Sequence, residues 1–230
     1  MTPILFYGFN ESGKVTIYRH GILPHWRQDK CTYFVTFRLA DALPLKLQQE
    51  LKCRRETWLL ARKIDPTDPS WKDRFARLSS AEKRAFERML GVFINDSLDM
   101  NYGSCALRQP EIAKSVANAL TYFQNQRVLT GDYVIMPNHV HALMTPMEGV
   151  ALERLLQSIK THTAKFANSF LGQSGKFWQK ESYDHIVRDI DQLIAFQNYI
   201  AQNPKKAKLR QNEYIHKTSL YQVANTSFRE

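Results

Sequence analysis

Cysteine is scarce: Cys31, Cys53 and Cys105 are odd in number, far apart and include no Cys-x-x-Cys pair. That excludes a disulfide framework and a recognisable zinc ligand set, and the three read as reduced structural thiols. Long hydrophobic runs are also missing, so no segment is expected to span a bilayer. Asn10, Glu11 and Lys14 interrupt the N-terminal stretch where a signal peptide would carry its apolar core, and the expected location is the cytoplasm. No internal repeat or low-complexity tract divides the chain, so one domain over residues 1–230 is expected. Acidic residues are in deficit, 22 against 32 Lys and Arg, which leaves a net charge of +10. Such a surface attracts a polyanion; with no membrane segment, nucleic acid is the favoured partner.

What is present builds a core: 43% of the residues are hydrophobic and 12% aromatic. Residues 1–29 read as an irregular basic and aromatic lead-in holding Tyr18-Arg19-His20 and Pro24-His25-Trp26-Arg27, either a DNA-contacting arm or a segment packed on the domain. Cys31 to Leu39, dense in β-branched and aromatic residues, reads as the first strand. Helical periodicity runs from Leu45 to about Lys63 and from Ser79 to about Phe93, with a capping box at Ser79-Ser80-Ala81-Glu82 and a turn-rich breaker at 65–70. Carrying no chemical motif, residues of about 45–105 read as a helical insertion after the first strand. A further helix opens at Gln109-Pro110-Glu111 with Ile112, Val116, Leu120 and Phe123 on one stripe.

Two strands follow, Arg127 to Met136 and His139 to Thr145, joined at Pro137-Asn138. Val150 to about Phe170 reads as a helix, the segment from Phe177 to Arg188 as strand-like, and Asp189 to Asn203 as the last helix, capped by Asp189 and Gln192 and ended by Pro204. A basic exit and a polar tail of about 217–230 complete the chain.

The chemistry concentrates at Pro137-Asn138-His139-Val140-His141. Alternate side chains of a strand share a face, so His139 and His141 project together and can share a metal ion, while Val140 and Ala142 pack the other way. On the last helix Tyr199 and Asn203 stand four residues apart and share a face, flanking the stripe of Leu193, Phe196 and Ile200. A divalent cation neutralises phosphate oxygens and stabilises a departing alkoxide, and a tyrosine phenolate can attack in line and hold the phosphate as an ester. His139, His141 and the side-chain oxygen of Asn203 would supply three ligands and leave positions open for phosphate and water.

Pro-Asn-His-Val-His in a strand, followed by a helix with Tyr-x-x-x-Asn-Pro, resembles the single-tyrosine HUH transposases and, within them, the REP-associated tyrosine transposases. Leu23-Pro24-His25-Trp26, Thr32 to Asp41 and Asp184-His185-Ile186-Val187-Arg188 carry the same likeness, which spans about residues 20–210. The resemblance implies an α+β fold, a ferredoxin-like antiparallel sheet flanked by helices, with the histidine pair on a central strand. It implies Mg²⁺ or Mn²⁺, single-stranded or hairpin DNA of the REP type as partner, and a monomer or homodimer. Position by position, it makes His139 and His141 metal ligands, Tyr199 the nucleophile of a 5′-phosphotyrosine intermediate, and Asn203 the polar ligand one turn later. DNA contacts are expected from Lys160, Lys165, Lys205, Lys206 and Lys208 along the strand and from Trp178, with Phe177, by base stacking; His185 and Arg188 are read as phosphate contacts or structural residues. Two rivals stay open: a catalytically silent hairpin-binding regulator, and a hydrolase whose His-x-His pair holds zinc and activates water.

Overall fold

In a computed structural model of the chain, residues 3–18 and 25–224 are described. Pro24, Leu23, Arg19 and His20 of the lead-in therefore lie outside the described residues. The central feature is a five-stranded antiparallel sheet with strand order β7-β4-β6-β5-β8. Its members are β4 (Tyr33–Arg38), β5 (Val128–Ile135), β6 (His139–Pro146), β7 (Tyr183–Ile186) and β8 (Ile215–Lys217). Helix α4 (Pro110–Thr121) leads into β5, α5 (Leu152–Phe170) joins β6 to β7, and α6 (Ile190–Lys206) follows β7. The order of β7-β4-β6-β5 with these crossovers is the split βαβ arrangement of a ferredoxin-like fold, with β8 added at one edge. The expected α+β class and the central place of the histidine strand hold.

Strand parity divides the core. Val35, Phe37, Val140, Ala142 and Met144 face Leu120 of α4 and Leu155, Leu156 and Ile159 of α5. Phe34, Val134 and Leu143 face the other way, onto Leu193 and Ile200 of α6. The histidines of β6 share the parity of Leu143, so the α6 side is the side of the candidate site.

The segment between β4 and α4 holds α1 (Leu45–Leu60), α2 (Trp71–Ala76) and α3 (Ser80–Asp99). Ser79 and Glu82 form the capping box read from the sequence, but α3 runs past Phe93 to Asp99 because Leu90, Ile94 and Leu98 continue its buried stripe. The lead-in is not irregular: β1 (Ile4–Phe6) pairs with β9 (Tyr221–Val223), and β2 (Thr16–Tyr18) pairs with β3 (His25–Arg27). The polar tail expected from about 217 is thereby corrected as far as Val223. Tyr221 anchors it, since its hydroxyl accepts from the Asp132 amide at 3.1 Å, across a gap that a side chain at Gly131 would fill. Pro204 does not stop α6 at Asn203; the helix closes over it, with Ala207 N bonding Asn203 O at 3.0 Å and Leu209 N bonding Pro204 O at 2.9 Å.

The basic and aromatic residues of β3 are spent on packing. His25 Nδ1 lies 2.6 Å from Asp184 Oδ1, and Arg27 pairs with both Asp184 and Glu153. Burial alone would raise the Asp184 carboxyl, but hydrogen bonds from His25 and Arg27 hold it below its usual range. Trp26 Nε1 donates to Glu87 Oε1 of α3 at 3.2 Å and ties the insertion to this edge.

Burial pushes the Glu87 carboxyl up from 4.5 to about 7. The folded protein then keeps a proton that the unfolded chain releases, so this group's stabilisation is full below 4.5 and is lost as pH rises through 7. Glu87→Gln retains an acceptor for Trp26 and is expected to flatten that decline, raising the urea midpoint at pH 8 relative to wild type. Parallel midpoint-against-pH curves for the two proteins would contradict it.

Candidate active site at the histidine hairpin

The hairpin that carries the histidines is held from two directions. Leu107 N bonds Pro137 O at 3.1 Å and Leu39 N bonds Asn138 O at 2.9 Å, so the two turn carbonyls are satisfied. Asn138 Nδ2 donates to Tyr102 O at 2.9 Å, in the loop after α3. That loop approaches Asp41 closely: at Gly103, with φ of +89°, an added Cβ would lie 2.6 Å from the Asp41 carbonyl. Only glycine fits there, and the neighbouring Ser104 amide donates to Asp41 Oδ2 at 2.7 Å.

His139 and His141 are completely buried, and both point to the α6 side. Their ring centroids are 4.6 Å apart. Each Nδ1 has a partner: Asn138 Oδ1 at 2.7 Å for His139 and Thr36 Oγ1 at 2.7 Å for His141. The Asn138 oxygen can only accept, so His139 carries its proton on Nδ1 and keeps a lone pair on Nε2. Burial drives the His139 pKa down to about 3 and takes His141 well below the ordinary histidine value, with the neighbouring His139 adding to the second. Both imidazoles are neutral, the state a metal ligand requires.

Tyr199 comes from α6 to the same point. Its hydroxyl lies 3.5 Å from His141 Nε2, within one chain. Phe34 of β4 fixes the arrangement: it stacks on Phe196 at 4.3 Å and on His141 at 5.4 Å, and meets the Tyr199 ring edge-on at 5.8 Å. One turn further, Asn203 is 1% exposed rather than at the boundary of the core, where the helical stripe had put it. Asn203 Nδ2 donates to Asp99 Oδ1 at 3.3 Å. Asn203 Oδ1 and His139 Nε2 are both buried without a hydrogen-bond partner. Two orphaned lone pairs at one site are what a missing cation would satisfy, and an imidazole, imidazole and amide set suits a divalent ion. Among the described residues no three His, Cys, Asp or Glu side chains form a ligand cluster.

Burial, then the negative charges of Asp99 and Asp96, push the Tyr199 phenol well above its usual pKa. Asp99 is itself raised by burial, opposed by Lys206, whose Nζ lies 2.7 Å from Asp99 Oδ2 and 2.8 Å from Asp96 Oδ1.

The other residues read as DNA contacts are divided between the faces. Lys205, Lys206 and Lys208 are exposed at the end of α6, beside the site. His185 shares the site's face but lies one row away, across from Phe34 and 5.8 Å from Phe196, and Arg188 is exposed beyond it. Lys160, Lys165 and Trp178 belong to the α5 side of the sheet. Stacking of Trp178 on a base is corrected: the ring is 5% exposed, packs against Phe37 at 5.0 Å and donates to Thr163 Oγ1 at 2.9 Å. Phe177 is likewise buried. Lys160 is occupied by the Gln179 and Lys180 carbonyls and by Ser182 Oγ, and burial lowers its pKa to about 8. Lys165 is exposed and free to meet solvent or strand.

Three residues here escaped the sequence reading: Thr36, Asn138 and Asp99. Removing the partner of a ligating imidazole typically weakens metal binding about 10–100-fold. Thr36→Val, which keeps shape and deletes the hydroxyl on His141 Nδ1, is expected to lower Mn²⁺ affinity by that order in calorimetric titration, with Thr36→Ser restoring it. Equal affinities for the valine and wild-type proteins would contradict the orienting role.

Residues 107–203, less than half of the chain, match the family described as IS200-like transposases. That stretch contains both histidines, Tyr199 and Asn203, and it bears out the resemblance read from the motifs. A solved REP-associated tyrosine transposase bound to a REP hairpin is similar at 16% identity and a TM-score of 0.41, over 82% of this chain and 72% of that one. No curated protein matches the chain.

Proposed function

We propose that this protein, which carries the IS200-like transposase pattern over residues 107–203, nicks and rejoins single-stranded DNA through a covalent 5′-phosphotyrosine at Tyr199. The observation that supports it most is that Tyr199 Oη lies 3.5 Å from His141 Nε2, the two imidazoles are 4.6 Å apart, and the Asn203 side chain reaches both His139 and Tyr199. His139, His141 and Asn203 would hold Mg²⁺ or Mn²⁺. An ion held by these residues would supply charge neutralisation for the phosphate oxygens and for the departing alkoxide.

The chain's own part is positioning and proton control. Thr36 and Asn138 hold the imidazoles in one orientation, and Phe34 with Phe196 holds the phenol over them. The elevated pKa of Tyr199 keeps the phenol protonated until positive charge enters the site, which restrains unwanted attack. In the reaction, the phenolic oxygen bonds to phosphorus as the bond to the 3′ oxygen breaks. The phenol's proton passes to solvent and the released 3′ oxygen takes one up. Rejoining reverses the step: a 3′ hydroxyl attacks the phosphotyrosine and frees Tyr199.

Hairpin DNA of the REP type is the proposed substrate, supported by the net charge of +10 and the motif resemblance, and approached along the exposed Lys205 and Lys208 at the end of α6. The described residues include no helix long and apolar enough to cross a membrane.

Incubation with end-labelled hairpin DNA from the gene's flanks and Mn²⁺, followed by denaturing electrophoresis, tests this directly. Wild type is expected to yield a protein-linked fragment. Tyr199→Phe should lose the fragment by at least about 10³-fold and keep hairpin affinity, because only the nucleophilic oxygen is gone. His139→Ala and His141→Ala should lose metal binding and cleavage together. A Tyr199→Phe protein that still forms the adduct would refute the assignment, and cleavage without any adduct would point to water as the nucleophile.

A further inference from the structure

The insertion that carried no motif in the sequence ends inside the candidate site. Asp99, the last residue of α3, has a side chain 8% exposed and lies against α6, where Asn203 Nδ2 is 3.3 Å from its Oδ1. Resting on the reading of His139, His141 and Asn203 as the ligand set, we propose that Asp99 is a positioning residue that orients the Asn203 amide so that Oδ1 faces His139 Nε2.

The argument is one of donors and acceptors. An amide side chain can be turned over at no steric cost, which exchanges its oxygen and nitrogen. Asp99 Oδ1 accepts from Asn203 Nδ2, so the NH₂ end of the amide is the end that meets Asp99. The oxygen is thereby turned the other way, where it is buried without a hydrogen-bond partner as His139 Nε2 is, and the Asn203 side chain reaches that imidazole. Without Asp99 the amide could present NH₂ to the cation, and a donor cannot ligate one. Lys206 completes the device. Its Nζ contacts Asp99 Oδ2 at 2.7 Å and Asp96 Oδ1 at 2.8 Å, which aligns the carboxyl group and leaves Oδ1 for Asn203. Asp96 and Asp99 are three residues apart and so share one face of α3. The insertion thus clamps the helix that carries both Tyr199 and Asn203.

Mn²⁺ titration calorimetry on the full-length protein tests this apart from catalysis. Asp99→Ala is expected to bind Mn²⁺ about 10–100-fold more weakly than wild type. In an Asn203→Ala background the same change should have no further effect on Mn²⁺ affinity, because Asp99 acts through that amide. Asp99→Leu, close in size and without an acceptor, takes the place of the alanine protein should that form fail to fold. Wild-type affinity in Asp99→Ala or Asp99→Leu would overturn the proposal. So would an Asp99→Ala change as costly in the Asn203→Ala background as in wild type, which would make the carboxylate itself a ligand. A wild-type protein whose Mn²⁺ affinity is indifferent to His141→Ala would instead overturn the ligand set, independently of any Asp99 variant.

Discussion

Everything at this site depends on two neutral imidazoles buried side by side on the central strand of the sheet. A buried polar side chain without partners costs roughly 1–3 kcal/mol, and two on one strand would be a severe defect in a fold held by a few kilocalories. The structure meets half of that demand internally. Thr36 and Asn138 satisfy the Nδ1 atoms, and the hairpin turn that supplies Asn138 is bonded on both sides to neighbouring backbone. The Nε2 atoms are left toward α6, where a phenol and an amide oxygen meet them. Satisfying one nitrogen of each ring from behind fixes the orientation of the other, the usual way a protein prepares an imidazole for a ligand.

Negative charge is the second constraint. The end of α3 brings Asp96 and Asp99 toward the phenol, and both raise its pKa, so the site favours the protonated, unreactive form of Tyr199. A site short of positive charge in this way is poised for a cation, and the same carboxylate that suppresses the phenol turns the Asn203 amide toward the imidazoles. Metal affinity and nucleophile control are in this sense one electrostatic arrangement, shared between a hairpin, the last helix and an insertion that sequence alone leaves without a role.

Much of the site was legible because its spacing is local. A two-residue step on a strand and a four-residue step on a helix each place side chains on one face, whatever the rest of the chain does. The ferredoxin-like order followed from the family likeness, with α4, α5 and α6 recovered from their apolar stripes. Asp99 was missed because α3 was ended at Phe93, although Leu90, Ile94 and Leu98 continue the helical spacing and could have carried it on. The strands β1, β2, β3, β8 and β9 have three residues each, too short for alternation to register. Trp178 shows the limit of composition: an aromatic beside basic residues suits a base-stacking platform, yet pleat parity turns it into the α5 core. Lys160 is on that same side because α5 itself carries it.

The central claim is spatial, that His139, His141 and Asn203 converge on one divalent cation beside Tyr199. Anomalous diffraction at the manganese edge from crystals grown with Mn²⁺ measures it most directly. A single strong peak bonded to His139 Nε2, His141 Nε2 and Asn203 Oδ1 is the predicted result. Well-ordered density for all four side chains with no manganese among them at saturating Mn²⁺, or a peak elsewhere alone, would contradict it.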